Sequence, residues 1–274
     1  MTTVNRRPIA RRLFFIVCFS IAAAGLFAKV QQTTFEPKVG QPGKDVVWVP
    51  TPQVLVDKML DMAKLTPQDY LIDLGSGDGR TVITAAKRGA RAMGIEYEPE
   101  MVALSQRSAA SENVSSRATF LKADLFQSDF SQASVITMFL LPQINLDLRP
   151  KILDLKPGTR VVSNTFTMGE WEPEETATIP DCDRWCTALL WIVPAKVQGT
   201  WRSAQGDLAL TQTFQMLSGT LTRGGPTPIT QGKMLGDQIA FSAGNARYSG
   251  RVNGNAIEGT VTTGTSGSPW RASR

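Results

Sequence analysis

The sequence predicts an α/β protein in which a doubly wound parallel sheet is followed by an antiparallel all-β module and preceded by an apolar helix. Three patterns predict this arrangement. Short apolar strands alternate with amphipathic helices over residues 46–194, period-two alternation fills residues 195–274, and residues 13–28 carry no charge. Alternating strands and helices are typical of a parallel sheet with both faces covered.

The first segment, residues 1–28, is predicted to be a signal peptide or a membrane anchor. Four arginines precede the uncharged run from Leu13 to Ala28, and small residues at 22–25 offer a cleavage site. The run is slightly shorter than the ~20 residues that usually span a bilayer. We expect a membrane-associated protein, or an exported one if the segment is cleaved. The arginines favour placing the rest of the chain across the membrane from them, but the side stays open.

Residues 29–45 contain two prolines and two glycines without periodicity, which is typical of a linker. In the domain over residues 46–194, helices are predicted over residues 54–65, 81–89, 99–111 and 145–155. Strands are predicted over residues 69–75, 91–98, 117–124, 133–142, 159–166, 174–180 and 187–194. The last two strands have no helix between them and should form a hairpin.

Residues 195–274 are predicted to form a separate β-rich domain. Apolar and polar residues alternate along this stretch, and turn pairs such as Asn253-Gly254 interrupt the alternation. This pattern is typical of antiparallel strands, so we expect a small sandwich or a half-barrel.

The composition excludes several kinds of active site. The 274 residues contain no histidine, which removes Ser-His-Asp and Cys-His catalysis and histidine-bound metals. Three cysteines are too few for a four-cysteine zinc site, so no metal is predicted. Cys182 and Cys186, in the predicted hairpin loop, either form a disulfide or stay reduced. With 29 basic and 24 acidic residues, the charge gives no case for nucleic acid.

The segment "DLGSGDGR", residues 73–80, is the strongest candidate for a ligand site. It joins a strand to a helix at the carboxyl edge of the predicted sheet, where doubly wound folds bind ligands. Its glycines are spaced G-x-G-x-G, whereas the dinucleotide pattern is G-x-G-x-x-G. Its two aspartates would repel a pyrophosphate but suit a cation, which favours S-adenosylmethionine over NAD. The predicted cofactor contacts here are Asp73, Gly75, Ser76, Gly77, Asp78 and Gly79.

Two further carboxylates end the next two predicted strands. Glu96 in "GIEYEP" is placed to accept hydrogen bonds from both ribose hydroxyls of such a cofactor. Asp124 in "KADLF" could bind the adenine amino group. Each could also be a solvated strand end, but three acids on three successive strand ends are an unlikely coincidence.

These motifs resemble those of class I S-adenosylmethionine-dependent methyltransferases. More narrowly, "VPTPQVLVDKML", "LKPGTRVVSNTF" and "GEWEP" resemble the branch of ATP synthase c-subunit and adenine nucleotide translocase lysine N-methyltransferases. The resemblance covers roughly residues 46–194. It implies a seven-stranded Rossmann-like sheet ending in the hairpin, an N-terminal membrane segment, and a lysine of a membrane protein as the substrate. Residues 195–274 depart from that family.

The resemblance also implies roles for individual residues. Pro50 and Thr51 in "VPTP" would close over the methionine moiety of the cofactor. Pro142 and Asn145 follow the fourth strand, where the family places acceptor-binding residues, although Asn145 could instead cap the next helix. Three aromatic residues either line an acceptor slot or lie in the core, namely Phe139, Trp171 and Trp48.

The favoured function is methyl transfer from S-adenosylmethionine to a lysine side chain of a protein. In-line displacement at a sulfonium needs positioning more than proton transfer, which suits a chain without histidine. The alternative is an envelope interaction protein that uses residues 195–274 and merely retains the methyltransferase fold. An NAD-linked oxidoreductase is disfavoured by the glycine spacing.

Overall fold

The structure is a computed structural model that describes residues 1–3 and 35–274. Residues 4–28 of the predicted signal peptide or anchor and residues 29–34 of the predicted linker therefore lie outside the described residues. Among the helices that are described, none is long and apolar enough to cross a membrane. Residues 35–274 form one compact unit.

The first part of this unit is a seven-stranded sheet with helices on both faces. Its strands are β1 (Tyr70–Leu74), β2 (Arg91–Glu96), β3 (Ala118–Lys122), β4 (Val135–Met138), β5 (Arg160–Asn164), β6 (Glu175–Thr178) and β7 (Thr187–Ile192). Its helices are α1 (Gln53–Met62), α2 (Arg80–Lys87), α3 (Pro99–Ser111) and α4 (Pro142–Leu153). The strand order is β3-β2-β1-β4-β5-β7-β6. Since β7 alone runs antiparallel to β5 and forms a hairpin with β6, the predicted Rossmann-like sheet is confirmed.

Alternation along the central strand explains why both faces are covered. Successive side chains of a strand point to opposite faces. Leu71 belongs to an apolar cluster with residues of α1 and α2, whereas Ile72 belongs to a second cluster with residues of α4. Asp73 and Leu74, the next residue on each face, are buried as well. Strand β1 is therefore covered on both faces and lies inside the sheet, between β2 and β4.

Helix α4 differs from its prediction. It begins at Pro142, three residues before the predicted start, and it contains Pro150 in its interior. Proline is favoured in the first turn because its missing N–H has no partner there anyway. The residue before the helix is Leu141, and no side chain caps the first turn. The prediction that Asn145 caps this helix is therefore wrong, because Asn145 lies inside it.

The C-terminal part closes into a barrel, which was expected only as a sandwich or half-barrel. Its strands are β8 (Gly199–Ser203), β9 (Gly206–Thr213), β10 (Met216–Thr222), β11 (Pro226–Leu235), β12 (Gln238–Ala243), β13 (Ala246–Asn253), β14 (Ala256–Thr263) and β15 (Ser266–Ser273). Closure occurs because β8 pairs with both β9 and β15. A closed barrel leaves no free strand edge to pair with another chain.

Large side chains fill the barrel interior. The rings of Phe241 and Tyr248 stack with centroids 4.7 Å apart, and both meet the edge of Trp270 at 5.6 and 5.3 Å. Gly259 allows β13 and β14 to approach closely, since a Cβ at that position would lie 1.9 Å from the carbonyl oxygen of Ser249. The alternation of residues along the strands could therefore be predicted from the sequence, whereas closure of the barrel depends on these close approaches between strands.

The barrel packs against the segment that joins β5 to β6. The side-chain amide of Gln215 donates to the carbonyl oxygen of Glu172 at 2.8 Å, and Lys233 forms an ion pair with Glu174 at 2.6 Å. The ring of Phe214 stacks on Trp171 with centroids 6.1 Å apart. The barrel thus fixes a segment that leads from the end of β5 toward the edge of the sheet.

Replacing Trp191 by phenylalanine should destabilise the sheet domain. The indole Nε1 of Trp191 donates to the carbonyl oxygen of Trp171 at 2.6 Å, and both side chains are buried. Trp191→Phe leaves that carbonyl without its partner, which typically costs about 1–3 kcal/mol. The midpoint of urea unfolding followed by circular dichroism measures this loss. As a control, Trp185→Phe removes the same atoms from an exposed side chain and should change stability by less than ~0.5 kcal/mol.

Candidate active site

A cavity of about 530 Å³ opens at the carboxyl ends of the parallel strands. The strand register brings these ends together, because Asp73 of β1 lies opposite Gly94 of β2 and Thr137 of β4. Nine of the predicted site residues line the cavity, namely Pro50, Thr51, Asp73, Gly75, Ser76, Gly77, Asp78, Glu96 and Asp124. Gly79, Pro142 and Asn145 do not line it.

The glycine turn is needed for backbone conformation as well as for close approach. Gly75, Gly77 and Gly79 have φ values of 75°, 52° and 79°, in the left-handed region that favours glycine. A Cβ at Gly77 would lie 2.7 Å from Nε1 of Trp48. The space that this glycine leaves open is therefore taken up, on one side, by a tryptophan of the same chain.

The side chain of Ser76 packs the glycine turn against β2. Its hydroxyl oxygen is buried and has no hydrogen-bond partner within the described part of the chain. It packs over Gly94, where a Cβ would come within 2.4 Å of it. Glycine at position 94 therefore leaves the space that this side chain needs.

Asp73 is buried at the floor of the cavity. Burial raises the pKa of Asp73 to about 7, and the carboxylates of Asp78 and Glu96 act in the same direction. The hydroxyl of Thr137, which donates to Oδ1 at 2.6 Å, acts against this rise in the pKa. Asp73 is therefore poised to change its charge state near neutral pH when a cation binds beside it.

Glu96 braces the glycine turn with both carboxylate oxygens. Its Oε2 accepts a hydrogen bond from the backbone N–H of Gly77 at 2.8 Å, and its Oε1 accepts one from the N–H of Glu98 at 2.9 Å. These bonds fix the carboxylate at the edge of the cavity. Each oxygen has a second lone pair with which it can accept a bond from a ligand hydroxyl.

Asp124 is paired with a lysine that the sequence did not single out. Its Oδ2 accepts a hydrogen bond from Nζ of Lys44 at 2.8 Å, and its Oδ1 accepts one from the N–H of Phe126 at 2.9 Å. Both bonds lower the pKa of Asp124, the lysine most. Lys44 also lies over the ring of Tyr97, 5.1 Å from its centroid. The residues that precede position 46 thus contribute to the cavity wall.

Residues 41–51 form that wall, although much of this stretch was predicted as linker. Pro42 and Val47 form an antiparallel bridge, and the N–H of Trp48 donates to the carbonyl oxygen of Gln41 at 2.9 Å. Farther along, Arg80 donates to the carbonyl oxygen of Thr51 at 3.0 Å. This closed turn has no hydrophobic periodicity, which is why the sequence pattern predicted a linker.

Asp78 does not face the cavity as a free charge. Arg80 binds both of its carboxylate oxygens, with the shortest contact at 2.6 Å. The expectation that both acids of the glycine motif would meet a cationic ligand therefore changes. Asp73 can still meet a cationic ligand, whereas the charge of Asp78 is balanced by Arg80.

Asn145 acts on the loop after β5 in this structure. Its Nδ2 donates to the carbonyl oxygens of Phe166 and Thr167 at 3.1 and 3.2 Å, and its buried Oδ1 has no hydrogen-bond partner within the described residues. The predicted contact with an acceptor stays a prediction. Of the three aromatic candidates, Phe139 and Trp48 line the cavity, whereas Trp171 lies in the core.

Two aromatic residues that the sequence did not single out complete the far end of the cavity. Phe166 follows β5, and Trp185 lies in the loop between β6 and β7. In the same loop Cys182 and Cys186 are joined by a disulfide with their Cα atoms 5.9 Å apart, which selects between the two expected states. A tryptophan between two cysteines in a short polar loop, "PDCDRWC", was the available signal.

Comparison with known proteins gives consistent matches. The family model described as the ANTKMT methyltransferase domain matches residues 73–175. A protein-lysine N-methyltransferase of Saccharolobus islandicus is 40% identical over 151 residues, which cover 54% of this chain and 94% of that protein. The ATP synthase c-subunit lysine N-methyltransferase of Homo sapiens is 36% identical over 128 residues, covering 46% of this chain and 54% of that protein.

A solved structure extends the comparison. The RNA methyltransferase from Salinibacter ruber in complex with S-adenosyl-L-homocysteine is 42% identical, with a TM-score of 0.52. The match covers 54% of this chain and 96% of that chain, so nearly half of the present chain has no counterpart there. S-adenosylmethionine is thus the cofactor supported for this fold, whereas the names of these relatives specify different acceptors.

Binding of S-adenosylmethionine should release a proton from Asp73. The pKa of this group is about 7 without a ligand, and a nearby cation favours the ionised form. Affinity should therefore increase as the pH rises through about 7, because the ligand binds best once the proton has left. Isothermal titration in buffers of different ionisation enthalpy measures the release.

Two controls isolate the contribution of Asp73. Asp73→Asn should abolish its share of the proton release and leave only that of the cofactor's own amino group. S-adenosylhomocysteine, which lacks the sulfonium charge, should release less. Equal proton release by the parent protein and Asp73→Asn would contradict this assignment.

Proposed function

This chain belongs to the family of S-adenosylmethionine-dependent methyltransferases that includes the protein-lysine N-methyltransferases, and from this premise we propose that its acceptor is a lysine side chain of a protein. The enzyme class follows from the family. The acceptor requires an argument from the site, because one similar structure is named as an RNA methyltransferase.

The charge of the cavity carries the proposal. Six carboxylate side chains line it, namely Asp45, Asp73, Asp78, Glu96, Glu98 and Asp124. Two cationic side chains line it, Lys44 and Arg80, and both are paired with carboxylates. Proteins that bind RNA usually neutralise its phosphates with basic side chains. Because both cations are already paired, the described lining of the cavity offers a phosphate no free basic side chain, which favours a lysine acceptor over RNA.

The strand order supports one orientation of the bound cofactor along the carboxyl edge of the sheet. Asp124 follows β3, Glu96 ends β2, and Asp73 lies near the end of β1. We assign the adenine amino group to Asp124, the ribose hydroxyls to Glu96, and the methionine moiety to the glycine turn beside Asp73. Lys44 and the adenine amino group would then share the carboxylate of Asp124. The acceptor is left with the side of the cavity formed by β4, β5 and β7.

When bound, S-adenosylmethionine supplies a methyl group on a sulfonium, which an amine would attack in line as the thioether leaves. The chain's own contribution is to orient the two reactants and exclude water, which can account for ~7–11 kcal/mol of barrier reduction. Apolar side chains of Phe139, Leu140 and Ile144 line the acceptor side. Their low polarity favours loss of the ammonium proton to solvent once the lysine has entered, which gives the neutral amine that attack requires.

We also propose that residues 13–28 associate the protein with a membrane. The support is the uncharged run after four arginines, a pattern typical of anchors and signal peptides. A reporter enzyme fused after Arg274 that is active on only one side of the membrane identifies the side on which the catalytic domain lies. Recovery of the full chain in the wash fraction alone would contradict the proposal.

Glu96→Gln should weaken binding of S-adenosylmethionine by about 10- to 100-fold. The substitution removes a charged acceptor from the glycine turn and from the ribose hydroxyls, and hydrogen bonds to charged groups contribute about 1.5–3 kcal/mol. Isothermal titration gives the dissociation constant. Glu112→Gln is the matched control, since Glu112 forms an exposed ion pair with Lys87 and does not line the cavity. An unchanged dissociation constant for Glu96→Gln would refute the ribose assignment.

Labelled methyl groups should enter protein rather than RNA. The full chain is incubated with methyl-labelled S-adenosylmethionine and extracts of a strain that lacks it, separated into membrane protein, soluble protein and RNA. Acid hydrolysis of the protein should yield labelled methyllysine, because the described lining of the cavity offers no unpaired basic side chain to a phosphate. Label confined to nucleosides after RNA digestion would overturn the lysine proposal while leaving the methyltransferase class intact.

A further inference from the structure

We infer that the disulfide-closed loop between β6 and β7 is the acceptor-recognition element, holding Trp185 as the third wall of an aromatic corner that receives the lysine ammonium group. The other two walls are Phe139 and Phe166. This inference rests on the proposed function and deepens it, because it assigns the acceptor to particular residues. Phe139, Phe166 and Trp185 together form this aromatic corner.

The three rings pack against one another at the far end of the cavity. The ring centroid of Trp185 lies 5.7 Å from that of Phe139 and 5.4 Å from that of Phe166, and the two phenylalanines are 5.9 Å apart. Trp185 remains 37% exposed, which is unusual for so large an apolar side chain. The aromatic corner is therefore packed on one side and open on the other.

The sheet order places the aromatic corner where the acceptor must enter. Phe139 follows β4, Phe166 follows β5, and Trp185 precedes β7, which are neighbours on one side of β1. Glu96 and Asp124, assigned to the nucleoside, lie on the other side. A cofactor bound along β2 and β3 would therefore leave the side with Phe139, Phe166 and Trp185 to the acceptor.

The ring angles favour an ammonium group over a nucleic-acid base. The plane of Trp185 is tilted by 57° from that of Phe139 and by 49° from that of Phe166. The two phenylalanine planes differ by only 19°, but these rings stack on each other with centroids 5.9 Å apart and leave no room for a base between them. A flat base stacks between parallel surfaces, whereas a compact cation can approach several tilted ring faces at once. Methylated ammonium groups keep their charge, so the aromatic corner should also hold the products of the first and second methyl transfers.

The disulfide explains how an exposed tryptophan is kept in position. Trp185 has a φ of 60° and Asp181 a φ of 55°, a backbone conformation that bulky residues rarely adopt without support. The loop "PDCDRWC" is otherwise polar, and its hairpin pairing stops at Thr178 and Thr187 apart from one backbone bond from Ile179 to Cys186. The Cys182–Cys186 bond closes this loop around Trp185 and limits the positions that its ring can take.

The test separates recognition of the acceptor from binding of the cofactor. The full chain and the variants Trp185→Ala, Trp185→Phe and Cys182→Ser/Cys186→Ser are compared, with Leu121→Ala as the control. Leu121 is also an exposed apolar side chain, but it lies on β3 and does not line the cavity. Isothermal titration with S-adenosylmethionine should give the same dissociation constant for all five proteins within about twofold.

A pair of probes measures the aromatic corner. Nα-acetyl-trimethyllysine amide carries a quaternary ammonium, and its isostere with a tert-butyl group carries none. With the parent protein the ammonium probe should inhibit methylation of the protein extract about tenfold more strongly than the neutral probe, because cation–π contacts require the charge. Trp185→Ala should remove that difference, Trp185→Phe should keep most of it, and the double serine variant should lose part of it.

Each result that differs from these expectations contradicts one particular step of the proposal. If the parent protein does not bind S-adenosylmethionine, the proposed function fails. If it binds and transfers methyl groups but Trp185→Ala discriminates between the probes like the parent, the inference about the aromatic corner fails. Stronger competition by uridine 5′-monophosphate than by the ammonium probe would assign the rings to a base. Three reactive thiols in the denatured, unreduced parent protein, instead of the one expected from Cys18, would remove the disulfide from the argument.

Discussion

The parallel register of β1 with β2 and β4 is the constraint on which the rest of the site depends. It places Asp73 opposite Gly94 and Thr137, and so fixes the height at which each chain segment leaves the sheet. The glycine turn and the ring of Phe139 directly follow their strands, and Glu96 is the last residue of β2. The turn is tied to β2 by backbone hydrogen bonds from Gly75 and Ser76 to the carbonyl oxygen of Ile95 and by one from Gly77 to the carboxylate of Glu96.

The barrel contributes to the same site indirectly. It holds the segment between β5 and β6 through Gln215 and Lys233, while α4 holds the same segment from the other side through Asn145 and Arg149. That segment begins with Phe166, one wall of the cavity. The physical role visible in the barrel is therefore to restrain an active-site loop, in addition to any partner that its outer surface binds.

Much of the sheet and of its cofactor edge could be predicted, because strand alternation, the glycine turn and the acids at strand ends are local patterns. Barrel closure could not, since it depends on β8 pairing with β15, as Ser203 does with Ala272, far along the chain. Trp185 and Lys44 were missed for a related reason. Both lie in short aperiodic loops, and their importance comes from what lies across the cavity, which no local pattern encodes.

The acidity of the site is less uniform than its composition suggests. Asp78 is matched by Arg80 and Asp124 by Lys44, so their charges are largely balanced at close range. Asp73 is buried without a cationic partner among the described residues, and its pKa of about 7 reflects that isolation. The carboxylate without a cationic partner therefore lies beside the glycine turn, next to the aromatic end of the cavity. A cationic methyl donor suits the carboxylate, and an acceptor that becomes cationic on methylation suits the aromatic rings. A phosphate suits neither end of the cavity.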